Sequence, residues 1–277
     1  MSKLLELFSL QDKVVVITGA TGLLGRKHAE AIAYYGGTPI LLDLSKKAVD
    51  GFAYELNEKY KVSAVGFSID ITNEEMIENN VKKLIKLFGK IDGLVNNAAN
   101  NPKVEDSKNV NFSRLENFPL DIWSDDIAVG LTGAFLCSKH YGFAISQNPN
   151  GGSIVNISSD LGLIAPDQRL YAKDGIDGNK QNVKPVTYSV VKTGLIGLTR
   201  YLATYWADKN VRCNAMCPGG VENGQPEDFL KEVNHRIPMG RMANADEYQG
   251  TLLWMLSDAS SYLNGAIIPV DGGRSSW

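Results

Sequence analysis

The sequence predicts one α/β domain over residues 1–277, built on a doubly wound parallel sheet. Three observations predict it. Short β-branched runs occur without polar alternation, the pattern of strands buried on both faces. Helical patterns alternate with these runs to the end of the chain. A glycine-rich turn joins the first run to the first helical pattern, and an acid closes the next run about 20 residues on, the layout of a dinucleotide-binding βαβ unit.

The first run is Val14-Val15-Val16-Ile17, and Thr18-Gly19-Ala20-Thr21-Gly22-Leu23-Leu24-Gly25 follows at once. A helical pattern spans 26–35, and Gly36-Gly37 end it. The glycines let the backbone approach a pyrophosphate, and the helix start offers free N–H groups and the positive end of its dipole. Gly19, Thr21, Gly22, Leu24 and Gly25 are therefore candidate cofactor contacts. The second strand, 38–42, closes on Asp43. A carboxylate there accepts hydrogen bonds from the ribose hydroxyls of NAD and repels the 2′-phosphate of NADP, so NAD is the expected cofactor.

A third strand over 62–68 ends in Ile69-Asp70-Ile71, and an amphipathic helix follows over 74–88. The strand over 91–95 leads into Asn96-Asn97-Ala98-Ala99, then a polar segment over 100–120 and a long helix over 121–146. The strand over 152–157 ends in Ser158-Ser159. Pro185 opens a helix reaching to about residue 206, which carries Tyr188 and Lys192. A strand over 211–216 leads into Pro218-Gly219-Gly220-Val221, and a helix over 245–256 precedes the last strand, 266–270. No repeat, linker or low-complexity tract marks a second domain.

On their helix, Tyr188 and Lys192 stand at i and i+4 and share a face. A tyrosine hydroxyl titrates near ~10 and is inert at neutral pH. A neighbouring ammonium favours the phenolate and lowers that value, which makes the pair a general acid–base catalyst.

Composition narrows the function classes. Hydrophobic residues make up 44% and charged residues 21%, which fits a soluble globular protein. A net charge of -3 leaves no basic footprint for nucleic acid. No secretory signal and no apolar run long enough for a bilayer are visible, so a cytoplasmic protein without membrane contact is expected. Cys137, Cys213 and Cys217 read as buried free thiols, and His28, His140 and His235 lack ligand spacing, so no metal is expected.

Taken together these stretches resemble the short-chain dehydrogenase/reductase family, in its short single-domain branch with a Rossmann fold. The resemblance covers nearly the whole chain. It rests on Thr18-Gly19, Asp70, Asn96-Asn97-Ala98, Ser159 in Asn156-Ile157-Ser158-Ser159, Tyr188-x-x-x-Lys192, Pro218-Gly219 and Pro269-Val270-Asp271-Gly272-Gly273. It implies that Tyr188 exchanges a proton with the substrate oxygen and that Ser159 hydrogen-bonds the same oxygen. Lys192 would bind the nicotinamide ribose and lower the Tyr188 pKa. Asp70 would bond the adenine, Asn97 and Ile71 would line the adenosine side with Ala98, and Pro218, Gly219 and Val221 would meet the nicotinamide end. The helices over 121–146 and 185–206 are often paired across a two-fold axis in this family, so a homodimer or homotetramer is expected.

The chain departs from the family at several places. Leu23 stands where the glycine turn usually has Gly, with Gly22 one place early; Asn223 stands where Thr is common. Gly130 replaces the usual Asn, whose neighbourhood holds a water in the proton relay to the lysine. A main-chain carbonyl can serve there as well, so Gly130→Asn is expected to change kcat less than tenfold. The segment between Ser159 and Tyr188 is longer than usual. It carries Asp167, Arg169, Tyr171, Lys173, Asp174, Asp177 and Lys180, and it leaves the strand of Ser159 to enter the helix of Tyr188. Such loops form the site in open α/β sheets, so Asp167, Arg169, Tyr171 and Lys173 are candidate substrate contacts.

The expected function is NAD-dependent interconversion of a secondary alcohol and a ketone on a small polar, sugar-like substrate. The rivals are a nucleotide-binding sensor or scaffold without turnover, which Gly130 favours, and a 3-ketoacyl-type reductase, which needs a more apolar lid.

Overall fold

Four β-branched residues in a row have no polar face to offer solvent, and the strand they form, β1 (Val14–Thr18), is buried along its whole length. It pairs in parallel with β2 (Thr38–Asp43) on one side and β4 (Gly93–Asn96) on the other. The computed structural model describes residues 3–100, 112–172 and 175–277. The remaining strands are β3 (Val65–Ser68), β5 (Gly152–Ile157), β6 (Val211–Pro218) and β7 (Ile267–Val270). All seven form one sheet in the order β3-β2-β1-β4-β5-β6-β7, with every pair parallel.

The order reverses between β1 and β4. Connections diverge there and leave a crevice at the C-terminal ends of the strands. Those ends carry Thr18, Asp43, Asn96, Ser158 and Pro218, so the motifs read from the sequence converge on one edge.

Besides a single turn at Lys3–Glu6, the helices among the described residues are α1 (Leu23–Tyr34), α2 (Lys46–Tyr60), α3 (Glu74–Phe88), α4 (residues 120–146), α5 (Val186–Tyr205), α6 (Glu227–Asn234) and α7 (Gln249–Leu256). They cover both faces of the sheet. Val15 and Ile17 point to one face with Ile32, Phe52, Leu56 and Leu252 of α1, α2 and α7. Val14 and Val16 point to the other with Ile77, Leu84, Tyr141 and Leu202 of α3, α4 and α5.

Several boundaries differ from the sequence reading. Helices α2 and α6 were not expected. The first is capped by Ser45, whose Oγ accepts from the Ala48 N–H at 3.3 Å, and stops at Lys61 in the left-handed region with φ 56. Its buried Val49, Phe52, Ala53 and Leu56 have helical spacing. The strand expected from residue 62 starts at Val65, because the Asn57 side chain holds both the N–H (2.6 Å) and the carbonyl (2.9 Å) of Ala64. The helix expected from 245 starts at Gln249, after a turn closed by the Glu247 N–H on the Asn244 carbonyl at 3.2 Å. The long helix α4 holds its course but carries π-helical turns at Ala128–Thr132 and Ser138–Gly142.

Candidate active site

The glycine turn is built for close approach. Gly19 has φ 61, and a Cβ there would lie 3.0 Å from Ala98 Cα. A Cβ on Gly25 would lie 2.2 Å from the Gly19 carbonyl oxygen, so α1 starts in contact with the turn. Gly22 is the N-cap of α1, and no side chain caps it. The first-turn N–H groups, Leu24 among them, therefore open at the strand ends. Asn97 braces this arrangement: its Nδ2 donates to the carbonyls of Thr18 (2.9 Å) and Gly19 (3.1 Å). The Asn97 and Ala98 N–H groups both donate to Thr18 Oγ1 at 3.0 Å.

Asp43 closes over the same turn. Its Oδ2 accepts from the Thr21 N–H (3.0 Å) and hydroxyl (2.6 Å), and its Oδ1 accepts from the Leu44 N–H at 2.8 Å. Asp70 folds onto Thr72, accepting from its N–H at 2.9 Å and its hydroxyl at 2.7 Å. The Ile71 side chain is buried in the core and packs where Gly133 has no Cβ. At the other end of the crevice, Gly219 donates its N–H to the Val270 carbonyl at 2.9 Å, following Pro218 at the end of β6. Val221 bridges to Ala243. Close-approach glycines, an uncapped helix start and a partly exposed carboxylate together fit a nicotinamide dinucleotide.

The candidate catalytic side chains meet where β5 faces α5. Ser158 Oγ donates to the Lys192 carbonyl at 2.7 Å, which fixes the start of α5 against the end of β5. Lys192 donates from Nζ to the Ile157 carbonyl at 2.8 Å and is 5% exposed. Burial lowers its pKa to about 8. The Tyr188 hydroxyl lies beside Ser159. Burial pushes the Tyr188 pKa up, the neighbouring Ser159 hydroxyl pulls it down, and the Asp160 charge pushes it up. The lowering by Lys192 expected from the i, i+4 spacing is therefore not the dominant effect in the free chain. The ammonium stands 5.7 Å from the Tyr188 ring centroid and is engaged with Ile157.

Three further groups in this cluster were missed in the sequence. Asp160 takes the Ser159 Oγ–H at 2.7 Å on Oδ1 and Arg274 Nη1 at 3.0 Å on Oδ2. Lys184 stands over the Tyr188 ring, 3.9 Å from its centroid, and burial lowers its pKa to about 8. Asp160 was visible as an acid directly after Ser159. Arg274 and Lys184 carried no signal, since only tertiary packing brings them to Tyr188.

Among the described residues of the long connection between β5 and α5, short 3-10 turns form at Asp160–Gly162, Gln168–Tyr171 and Gly178–Lys180. Asp167 accepts from Arg169 Nε (2.8 Å) and Nη2 (2.8 Å) and from Arg236 Nε (2.7 Å). These guanidiniums, Arg169 first, hold its carboxyl far below the usual range. Both oxygens are spent, so Asp167 is not the open acceptor for substrate hydroxyls that its sequence position suggested. The Arg169 side chain is 83% exposed. Tyr171 packs on Phe229 of α6 beside Leu170, Val233, Ile237 and Met242, and burial pushes its pKa up to about 12. Lys173 and Asp174, and residues 101–111 of the expected neighbouring wall, lie outside the described residues. Gly130 sits in the first π-helical turn, where a Cβ would lie 2.5 Å from Val191 Cγ1.

Among the described residues no group of His, Cys, Asp and Glu could hold a metal ion, and no helix is long and apolar enough to cross a membrane. The three cysteines are free and buried.

The family model described as enoyl-(acyl carrier protein) reductase matches residues 19–275. A 3-oxoacyl-(acyl-carrier-protein) reductase of Aquifex aeolicus is 33% identical over 268 residues, covering 95% of this chain and 98% of its own. An NADP-dependent mannitol dehydrogenase of Alternaria alternata is 32% identical over 279 residues, covering 98% of this chain and 96% of its own. Among solved structures, an NAD+-bound xylitol dehydrogenase superposes with a TM-score of 0.82 at 26% identity, covering 95% of this chain and 99% of that one.

Proposed function

This chain belongs to the short-chain dehydrogenase/reductase family, and from that premise we propose that it is an NAD-dependent oxidoreductase interconverting a secondary alcohol and a ketone on a polar, sugar-like substrate. The observation that carries the reaction is the meeting of Tyr188 with the buried Ser159 and Lys192 at the C-terminal edge of the sheet. A bound nicotinamide cofactor supplies the hydride exchange. Gly19, Gly22, Leu24 and Gly25 would hold its pyrophosphate against the start of α1, and Asp43 its adenosine ribose. Tyr188 gives a proton to the substrate oxygen in reduction and takes it in oxidation, while Ser159 holds that oxygen. Because burial raises the Tyr188 pKa, phenolate is scarce at neutral pH. Oxidation should therefore rise with pH and reduction fall.

The preference for NAD rests on Asp43, because relatives with either cofactor occur. The sugar-like substrate is supported by the mannitol and xylitol dehydrogenases among the similar proteins. A second reading, reduction of a 3-oxoacyl thioester, is favoured by the apolar cluster around Leu170, Tyr171 and Phe229. A homo-oligomer is supported by Phe135 and Phe143 of α4 and Tyr201 and Tyr205 of α5, which are exposed. A cytoplasmic location fits the free thiols.

The test is a cofactor-reduction screen over polyols, sugars, nucleotide sugars and acyl thioesters with both cofactors. Tyr188→Phe is expected to bind NAD normally and to lose at least ~10²-fold in turnover, the scale of general acid–base catalysis. An active Phe variant would move the acid–base role elsewhere. In calorimetric titrations NAD should bind more tightly than NADP, and Asp43→Ala should narrow the gap. Equal affinities in the unmutated chain would remove the NAD assignment.

A further inference from the structure

The tail that follows β7 reaches back into the catalytic cluster. Asp271 turns it by accepting the N–H groups of Gly273 and Ser275, each at 2.9 Å. This delivers Arg274 to Asp160, where Nη1 and Oδ2 stand 3.0 Å apart. The side chains are 11% and 4% exposed, so this is an ion pair out of water. The other carboxylate oxygen accepts the Leu161 N–H at 2.8 Å and the Ser159 Oγ–H at 2.7 Å.

An ionised carboxylate only accepts. The single proton of Ser159 therefore points at Asp160, while the Ser159 oxygen accepts the Leu161 N–H at 3.2 Å beside Tyr188. Resting on the acid–base reading above, we propose that Asp160 and Arg274 are positioning residues through which the C-terminal tail sets the direction of the Ser159 hydroxyl and the charge felt by Tyr188. Arg274 fixes the carboxylate, and the carboxylate fixes the serine proton beside Tyr188. When a substrate oxygen enters, Ser159 must turn its proton from Asp160 to that oxygen. The pull of Arg274 on the carboxylate weakens its hold and makes that turn easier.

Groups facing Tyr188 come from several elements. Lys184, Tyr171 and Asp160 belong to the long connection, Lys192 to α5 itself, Arg274 to the tail and Tyr248 to the turn before α7. Asp160 is the acid that raises the Tyr188 pKa. Removing its charge should lower the pH at which the phenolate forms.

The experiment uses Asp160→Asn with Arg274→Gln in one chain, because breaking only one side of a buried pair leaves an unpaired charge and can prevent folding. Arg274→Lys is the conservative control. Ionisation of Tyr188 is read by ultraviolet difference absorbance of the phenolate against the same protein carrying Tyr188→Phe, which needs no substrate. The neutral pair should shift this ionisation to lower pH by about half a unit, near threefold in its constant. NAD affinity should stay unchanged. The limb of the oxidation profile should move to lower pH by the same amount, with kcat down ~10-fold or more from lost orientation. Arg274→Lys should stay close to the unmutated protein in both. An unshifted phenolate ionisation, or an unchanged kcat, would reduce the pair to a structural staple. Full activity in Tyr188→Phe would instead sink the acid–base reading itself, whatever the pair does to the phenolate.

Discussion

At the scale of single residues, Gly130 shows how a departure in one place is answered in another. A missing side chain on α4 looks like a lost relay group when the sequence is read along the chain. Across the helix interface it is the space that Val191 fills, since a Cβ on Gly130 would fall 2.5 Å from Val191 Cγ1. The expectation of a mild Gly130→Asn effect therefore needs a second change. Gly130→Asn alone should overpack the contact between α4 and α5 and cost about 1–3 kcal/mol of stability. Combined with Val191→Ala it should recover most of that loss, with kcat within tenfold of the unmutated enzyme. Urea unfolding and turnover of the single and double variants check this. A rise of a hundredfold or more in the double variant would mean that the native relay is impaired.

At the scale of elements, the described part of the connection between β5 and α5 is packed onto α6 rather than standing as a free flap. Its Asp167 is tied to Arg236, just beyond α6, at 2.7 Å. Its Leu170 and Tyr171 share an apolar cluster with Phe229 and Val233 of α6. Arg236 also presents its carbonyl to the Trp277 ring N–H at 3.4 Å, so the tail joins the same assembly. Arg236→Ala should loosen this cover while leaving the glycine turn untouched. We expect KM for the carbonyl or alcohol substrate to rise several-fold and NAD affinity to stay constant. Steady-state kinetics beside NAD calorimetry check it, and equal KM values would confine the ion pair to surface decoration.

For the whole molecule, the buried His28 couples folding to pH. It is 0% exposed in α1, and neither ring nitrogen has a hydrogen-bond partner among the described residues. Burial pushes its pKa down to about 3 from 6.5. Between those values the unfolded chain binds a proton that the folded chain refuses. Stability is thus full above about 6.5 and falls as the pH drops toward about 3, at roughly 1.4 kcal/mol per pH unit. Replacing His28 with Leu should flatten this slope. Denaturant unfolding at neutral and mildly acidic pH checks it; equal slopes in the two proteins would place the acid sensitivity elsewhere.

What the sequence determined by itself is what local rules encode. Unbroken β-branched runs can only be strands buried on both faces, so the parallel sheet was legible from residues such as Val14–Thr18. Glycines where backbone must touch backbone marked the turn at Gly19 and Gly25, and i, i+4 spacing put Tyr188 and Lys192 on one helix. Helix α2 is legible too, in Ser45 and the spacing of Val49, Phe52 and Leu56. What only the tertiary structure decided is how distant side chains spend their charges and hydrogen bonds. Nothing local says that Arg274 neutralises Asp160, that Arg236 takes the oxygen of Asp167, or that Val191 occupies the space beside Gly130. The pKa of Tyr188 belongs to the same class. Burial outweighs its helical neighbour, and burial is a property of the packed chain, not of the spacing along it.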